Sequence, residues 1–201
     1  YGVPYGSPTW DQGWKSPYFN DSHTKFRAAA RKFYETEVSP YAGQWSEAGH
    51  IPLEVTKKMA DVGLLQGAIK GVWNTKYFGN KLPGGIKPEE YDWHHWVIGI
   101  NEVCKAGSLG FIWGVFTGVN IGLPPVLNFA SDELKDRVVA DVAHARKYIA
   151  LAVTEPWVGS DVGNIKTTAK LSPDGKHYIV NGAKKWITNG MWADYFTTAV
   201  R

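Results

Sequence analysis

Cysteine is almost absent from this 201-residue sequence, which contains only Cys104. One thiol excludes an internal disulfide framework and any cysteine-rich zinc site, and it fits a reducing compartment. The sequence also lacks a strong excess of charge of one sign, because 22 basic and 19 acidic residues leave a net charge of only +3. These charged residues are mixed along the chain and form no block. This balance gives no indication of a nucleic-acid partner.

Common nucleotide-binding and metal-binding motifs are also missing. No Gly-x-Gly-x-x-Gly follows a strand and no Gly-Lys-Ser/Thr loop occurs, so neither a Rossmann unit nor a P-loop is supported. His94 and His95 are adjacent and point to different helix faces, so they do not form an i, i+4 metal pair. We interpret both as partly exposed helix residues and Cys104 as a core residue. No metal site is predicted.

The two ends of the chain carry little information on location. Residues 1–14 show neither the apolar segment nor the Arg-rich amphipathic pattern of a targeting signal. The compartment stays open among cytoplasm, mitochondrion and peroxisome. The last residues, Ala199 to Arg201, continue a stretch with strand character. We therefore expect the chain to be part of a longer polypeptide.

The stretch from Ala106 to Ser131 has no charged residue and is long enough to span a membrane. However, Asn120, Asn128 and the pair Pro124-Pro125 interrupt it, which favours a buried core helix over a membrane span. Glycines recur at positions 110, 114, 118 and 122 and would form one helix face. Such a face lets another part of the backbone approach closely.

Helical patterns occupy the first two thirds of the chain. Residues 1–21 read as an irregular arm rich in Pro, Gly and aromatics. Ser22 is predicted to cap a first helix, and Ser131 to cap the last one. Between them, a helix is predicted to start near Pro88, with an apolar stripe at Trp93, Trp96, Val97, Ile100 and Cys104. Residues 22–146 are thus predicted to form an all-helical N-terminal domain.

The pattern changes to strands at about residue 147. An apolar run at 148–153 is followed by alternation at Thr167, Ala169 and Leu171, and turn dipeptides recur at 174–175, 181–182 and 189–190. Residues 178–180 and 186–188 are β-rich and are predicted to be strands. Helices first and antiparallel strands afterwards indicate an α+β chain, with a β domain beginning at residue 147.

Two segments of the β region carry groups suited to binding. In the first, Thr154-Glu155-Pro156 and Gly159-Ser160-Asp161 put backbone N–H groups and hydroxyls at a strand end. In the second, a strand with Trp186 and Thr188 on one face would offer a stacking plane beside a hydroxyl. The alternative is that Thr-Glu-Pro is only a turn and Trp186 only a core residue.

These segments resemble the middle-domain signature of the acyl-CoA dehydrogenase family. The matching residues are Val153-Thr154-Glu155-Pro156, Gly159-Ser160-Asp161, Tyr178-Ile179-Val180-Asn181-Gly182 and Lys185-Trp186-Ile187-Thr188-Asn189-Gly190. The upstream Ser131-Asp132-Glu133-Leu134-Lys135 is similar to the helix that precedes this signature. The resemblance covers roughly residues 22–201 in order and spacing. It implies an antiparallel β-barrel-like middle domain after the helical domain and a C-terminal helical bundle not included in this chain.

The resemblance also implies FAD as the cofactor. Leu151, Val153 and Thr154 would line the flavin ring, with Val153 and Thr154 bonding its polar edge. Gly159 and Ser160 would lie near the pyrophosphate, and Ser160 also near the CoA chain of the substrate. Trp186 and Ile187 would lie against the flavin and Thr188 near its N5 atom.

The implied reaction is α,β-dehydrogenation of an acyl-CoA thioester, with a β-hydride passing to flavin N5 while a carboxylate removes the α-proton. The family's catalytic Glu belongs to the C-terminal domain beyond Arg201, so no catalytic residue is assigned here, and Glu155 is interpreted as structural. Trp157-Val158 is bulkier than the small residues usual at these positions, and residues 143–147 lack the Gly often found there.

The resemblance implies several partners and leaves alternatives open. The substrate would be an acyl-CoA, the electron acceptor a flavoprotein or oxygen, and the assembly a homodimer or homotetramer. An oxidase or monooxygenase of the same fold, acting on nitroalkanes or amines, would share these residues. A flavoprotein-like binding protein without turnover is the third possibility.

Overall fold

A computed structural model describes residues 7–69, 71 and 73–201. In this part of the chain helices extend to Ala143 and short strands follow, so the predicted order of a helical domain and a small sheet region is confirmed. The arm predicted over residues 1–21 lies partly outside the described residues, at positions 1–6. Its described part contains a 3₁₀ helix, Thr9–Gln12.

The α-helices of the described residues run in chain order. They are α1 (Asp21–Glu37), α2 (Ala42–Ala48), α3 (Leu53–Asp61), α4 (Leu64–Ala68), α5 (Thr75–Phe78), α6 (Trp93–Cys104), α7 (Leu109–Thr117), α8 (Pro124–Phe129) and α9 (Asp132–Ala143). A π-helical segment, Gly118–Gly122, joins α7 to α8. Three further 3₁₀ helices are Pro83–Gly85, Pro88–Glu90 and Val162–Asn164.

Helix α1 is capped by Asn20 and not by the predicted Ser22. The Asn20 side chain accepts a bond from Ser22 N at 2.9 Å, and Asn20 N donates to His23 Nδ1 at 3.0 Å. Asn was overlooked although it caps as well as Ser does. At α9 the prediction is confirmed, since Ser131 accepts from Leu134 N.

The helix predicted to start near Pro88 in fact starts later in the chain, so this predicted boundary is wrong. Pro88 begins only a 3₁₀ turn, and α6 starts at Trp93 after the cap Asp92. The reason is local hydrogen bonding, because the Asp92 carboxylate accepts from the N–H groups of His94 and His95.

The predicted apolar stripe of α6 is wrong at three of its five positions, because only Trp96 and Ile100 pack against the core. Trp93 and Val97 are 57% and 54% exposed, and Cys104 is exposed rather than in the core. The buried side consists of His95, Ile98, Glu102 and Val103. Polar partners on α1 explain this orientation, because Arg27 Nε donates to Glu102 at 2.7 Å and Arg31 Nε at 3.0 Å. A buried charge is tolerated when it is paired in this way.

The helical core lies between α1, α6 and the helices that follow. Its largest fully buried side chains include Tyr34, Phe26, Phe111, Met59, Leu65 and Leu123. Trp10 of the arm stacks on Phe19 at 4.2 Å, and Asp11 pairs with Arg27 at 2.9 Å. The described part of the arm is therefore fastened to α1.

The glycine-rich stretch packs against the first strand, β1 (Ile149–Ala152). A Cβ atom at Gly118 would overlap the carbonyl oxygen of Ile149, and one at Gly122 would lie 3.2 Å from the Ala150 carbonyl carbon. Close backbone approach at these two glycines is confirmed. By length and composition Leu109–Phe129 is the one helical stretch of the described residues that would suffice to span a membrane.

The strands form two small sheets. Strand β1 pairs in parallel with β4 (Tyr195–Thr198), and β2 (Thr168–Leu171) pairs with β3 (Tyr178–Asn181) in antiparallel fashion. The prediction of antiparallel strands is thus wrong for β1, whose partner lies more than forty residues away, far enough for a crossover. After β4, Ala199 N bonds Ala152 O at 3.0 Å and Arg201 N bonds Thr167 O at 2.9 Å, which links the sheets. They form no closed barrel in this part of the chain.

Candidate functional site

The candidate site begins where β1 ends. Val153 and Thr154 follow the strand and are half-buried. The Thr154 carbonyl accepts a bond from Lys185 N at 2.9 Å, and the Val153 carbonyl accepts one from Lys184 Nζ at 2.9 Å. These two bonds bring the 153–154 segment next to the segment that contains Trp186.

The buried side chain of Glu155 fixes the end of β1 by hydrogen bonds. Its side chain is buried, and its two oxygens accept bonds from five groups: Thr167 N, Thr167 Oγ1, Lys166 N, Trp157 Nε1 and Lys184 Nζ, at 2.6–2.9 Å. Burial disfavours the ionised form, but the bonds from Thr167, Lys166 and Lys184 outweigh it and hold the pKa of Glu155 well below its usual range. A carboxylate so saturated with donors is a structural group, which agrees with the interpretation from sequence.

A tight turn follows Glu155. Glu155 and Val158 exchange backbone bonds at 2.9 and 3.2 Å, and Trp157 at the tip is half-exposed. Gly159 and Ser160 come next and are exposed. Trp157 is therefore turned towards Glu155 through its indole N–H, and its bulk is accommodated at the surface.

The segment 186–188 is a loop, so the predicted strand is wrong. Trp186 has φ 60° and Asn189 has φ 66°, and Gly190 N bonds Ile187 O at 2.9 Å to close a turn. Asn189 also donates from Nδ2 to the Gly114 carbonyl on α7 at 2.7 Å. These tertiary and turn contacts override the β-propensity of the segment. Trp186 and Thr188 therefore do not share a strand face.

Trp186 is held open to solvent by this conformation. Its side chain is 80% exposed, and the Lys185 ammonium lies 4.4 Å from the ring centre. A left-handed backbone conformation is uncommon for a bulky residue and often marks a functional position. The alternative interpretation of Trp186 as a core residue is therefore wrong for this part of the chain.

The structure brings together only part of the predicted cofactor residues. Leu151 lies on β1, Val153 and Thr154 at its end, and the Lys185 contact places Trp186, Ile187 and Thr188 beside them. No hydrogen bond or ring contact in the described residues connects Gly159 or Ser160 with the 186–188 loop. These two residues are exposed and follow the turn after Glu155.

The free donors of this surface fit a flavin dinucleotide. Within the described ranges, the hydroxyls of Thr154, Ser160 and Thr188 have no hydrogen-bond partner, and the same holds for the Thr154 N–H. Hydroxyls and a backbone N–H suit the polar edge of a planar heterocycle or a phosphate, and an exposed indole suits its ring. The residues present therefore fit the cofactor implied by the resemblance.

Some residues of this surface were overlooked in the sequence. Lys184, Thr167 and Asn189 make the bonds that fix the two segments, yet none was singled out as a site residue. One signal was available for Lys184, because a buried Glu next to a strand end requires a cation, and Lys184 stands directly before the motif residues 185–190.

One cluster of described residues could be mistaken for a metal site. His23, Asp92 and His94 each place a ligand atom within 4.8 Å of the others. However, His23 Nδ1 accepts from Asn20 N, so its Nε2 carries the proton and donates to Asp92 at 3.1 Å. The tautomer assigned by these bonds leaves no lone pair of His23 for a metal. The interpretation of His95 as partly exposed is wrong, because His95 is fully buried in the same network.

Two cavities lie near the helices, and the first of them reaches the candidate surface only at Asn189. The first, of about 240 Å³, is lined by residues that include Trp45, Phe111, Tyr148 and Trp192. The second, of about 530 Å³, lies between α1, α3 and residues 81–84. None of the eight predicted cofactor residues lines either cavity. They form an open face instead.

Comparisons with known proteins identify the family of this chain. Residues 20–146 match the family model "Acyl-CoA dehydrogenase, N-terminal domain", and residues 150–201 match "Acyl-CoA dehydrogenase, middle domain". The acyl-CoA dehydrogenase apdG of Emericella nidulans is 38% identical over an alignment of 203 positions, which covers 99% of this chain and 46% of that protein.

Two crystal structures give the same result. The acyl-CoA dehydrogenase of Geobacillus kaustophilus is 33% identical with a TM-score of 0.76, over 93% of this chain and 45% of that one. The acyl-CoA dehydrogenase of Bacillus anthracis, complexed with FAD, is 28% identical with a TM-score of 0.75, over 95% of this chain and 31% of that one. The chain spans less than half the length of these relatives.

Proposed function

This chain belongs to the acyl-CoA dehydrogenase family, and we propose that it holds the FAD of an enzyme that dehydrogenates acyl-CoA thioesters. The observation that carries the proposal is the pairing of two segments, 153–154 and 184–188, by the bonds of Lys184 and Lys185. This pairing puts an exposed indole next to unpaired hydroxyl and backbone donors. A crystal structure of a relative that is 28% identical contains FAD, which supports the same assignment.

Each residue of the surface has a defined task in this proposal. Leu151, Val153 and Thr154 hold the flavin ring edge, with Gly159 and Ser160 near the pyrophosphate and the CoA chain. Trp186 and Ile187 lie against the ring and Thr188 near its N5 position. FAD, when bound, would accept a hydride from the acyl β-carbon. The protein orients the ring and the thioester, since a small displacement of reacting atoms costs much rate.

The remaining elements of the activity belong to the rest of the protein. The buried Glu155 is saturated with donors and is not the base that takes the α-proton. We assign that role to a carboxylate outside this chain, as the resemblance implies. The electron acceptor is a flavoprotein or oxygen, and the assembly is a homodimer or homotetramer. We place the division between the helical N-terminal domain and the middle domain at residue 147.

Variants of the loop test the proposal. In the full-length protein, Trp186→Ala should weaken FAD retention because ring contact and burial are lost. Thr188→Val should slow flavin reduction by acyl-CoA while most FAD stays bound. FAD retention is measured by flavin absorbance after gel filtration, and the rate of flavin reduction by anaerobic stopped-flow. Trp14→Ala is the matched control, since Trp14 is another exposed tryptophan, in the arm. Variants with wild-type FAD content and wild-type reduction rate would refute the placement of the flavin.

A further inference from the structure

The Lys184 ammonium lies between two acceptors inside the candidate site. Its Nζ donates to the Val153 carbonyl at 2.9 Å and to Glu155 Oε1 at 2.9 Å. The side chain of Lys184 is only 12% exposed and that of Glu155 is 0% exposed. Charge-assisted bonds of this length, shielded from water, are stronger than bonds between neutral groups.

The carbonyl that Lys184 contacts belongs to the same peptide unit as the Thr154 N–H. Resonance couples the oxygen and the nitrogen of a peptide group. A cation at the oxygen withdraws electron density from the nitrogen and makes the N–H a stronger donor, in the way that chains of hydrogen bonds polarise one another. The peptide is trans, so the Thr154 N–H points away from Lys184.

The Thr154 N–H is free to bind a ligand. It donates to no acceptor among the described residues, whereas the carbonyl of the same residue is bonded to Lys185 N. The neighbouring backbone bond keeps the 184–185 segment fixed beside the strand end. The polarised donor and the segment that carries Trp186 are therefore held in one unit.

Glu155 does not depend on Lys184 for its position. Four other donors, from Thr167, Lys166 and Trp157, also bind its oxygens. Removal of the Lys184 charge therefore leaves the strand-end turn in place, and the charge can be tested separately from the local structure.

We propose that Lys184 is a positioning residue that polarises the Val153–Thr154 peptide and thereby raises the reduction potential of the bound flavin. The inference rests on the proposed function, because Thr154 is there assigned to the polar edge of the flavin ring. The reduced ring is richer in electrons than the oxidised ring, so a stronger donor at this edge stabilises the reduced form more. Glu155, of opposite charge and in contact with Lys184, acts in the opposite direction.

Potentiometric titration of the full-length FAD-bound protein, without substrate, tests this inference. Lys184→Met and Lys184→Gln should retain FAD, because the backbone bond from Lys185 N to Thr154 O still pairs the two segments. Both variants should shift the ratio of reduced to oxidised flavin at least tenfold towards the oxidised form, about 30 mV for a two-electron couple. Glu155→Gln should shift the potential in the positive direction. Lys176→Met is the control, because it removes one positive charge from the exposed hairpin turn between β2 and β3 and should leave the potential unchanged.

The signs of the shifts distinguish polarisation from a structural role. A purely structural role moves all site variants in one direction, towards the potential of free FAD. Shifts of equal sign at positions 184 and 155, or an unchanged potential in both Lys184 variants, would overturn the inference. The Lys184 variants decide the question even where Glu155→Gln loses FAD. A wild-type protein that binds no FAD would overturn the proposed function and this inference together.

Discussion

His94 and His95 are neighbours in the sequence but lie in different environments at the start of α6. His94 is part-exposed, whereas His95 is fully buried, with Nε2 at 3.1 Å from Ser22 Oγ and Nδ1 near Asp92. Burial lowers the pKa of His95, although the Asp92 carboxylate opposes this shift. Burial alone would raise the pKa of Asp92, but bonds from His23 and His95 lower this pKa to about 2.

This burial predicts a loss of stability in mild acid. The unfolded chain takes up a proton at the ordinary histidine pKa of about 6.5, and folded His95 does so only at lower pH. The stabilisation is therefore present above this value and declines as the pH falls through it. Asp92 stays ionised over the same pH range and therefore does not contribute to the pH dependence of stability. The apparent Tm of the full-length protein should fall between about pH 8 and pH 5.

A pair of variants at these two positions checks the prediction. His95→Asn retains an acceptor for the Asp92 N–H but removes the titrating group, so its Tm should depend less on pH than that of the wild type. The same substitution at the part-exposed His94 shows the effect of losing a histidine without its burial. Equal slopes for His95→Asn and the wild type would count against the burial of a neutral His95.

At the scale of single residues, the sequence predicted those features that depend on local bonds. Ser131 was identified as a cap because its partner is three residues away. The structural role of Glu155 followed from its place in a turn. By contrast, the burial of His95 and Glu102 depends on Ser22, Arg27 and Arg31, which lie about 70 residues earlier. No local pattern shows such partners.

Among the elements, the glycine-rich segment between α7 and β1 determines how the helical part meets the sheet. Gly118 lies against the Ile149 carbonyl, while Gly110 has only Ser108 Oγ near the place of a Cβ. Spacing in the sequence predicted one continuous glycine face. The structure divides it, because Gly110 faces open space and Gly114 meets the tip of the Ile51 side chain.

Alanine substitutions in this segment should therefore have opposite effects. Gly118→Ala forces a methyl group into the Ile149 backbone and should destabilise by about 1–3 kcal/mol. Gly110→Ala meets no obstacle and should stabilise α7 by up to about 1 kcal/mol through helix propensity. Urea denaturation of the full-length variants measures both changes. Equal effects at the two positions would contradict the close contact of Gly118 with β1.

The helices and strands that could be predicted from the sequence were those with a clear periodic pattern. Helix α9 and strands β2 and β3 were recognised because burial and turns follow the chain locally. The orientation of α6 and the loop at 186–188 were not, since paired charges on α1 and the Asn189 bond to α7 decide them. The exposed Trp186 is thus the case in which a tertiary contact overrides local β-propensity.

For the whole molecule, the assignment rests on order and spacing over nearly the full chain. A helical part and a sheet part follow each other as in the family, and both family models match. The resemblance supplied the cofactor, which composition and periodicity alone did not. The chain spans less than half the length of its relatives, so the activity must be tested on the full-length protein.

Anaerobic titration of the purified full-length protein with saturated acyl-CoA thioesters of increasing chain length tests the central claim most directly. The protein should contain FAD, and the visible flavin absorbance should bleach with at least one thioester as the flavin is reduced. Addition of an electron acceptor should then restore the absorbance. A protein without flavin absorbance after incubation with FAD, or a bound flavin that no acyl-CoA bleaches, would contradict the account.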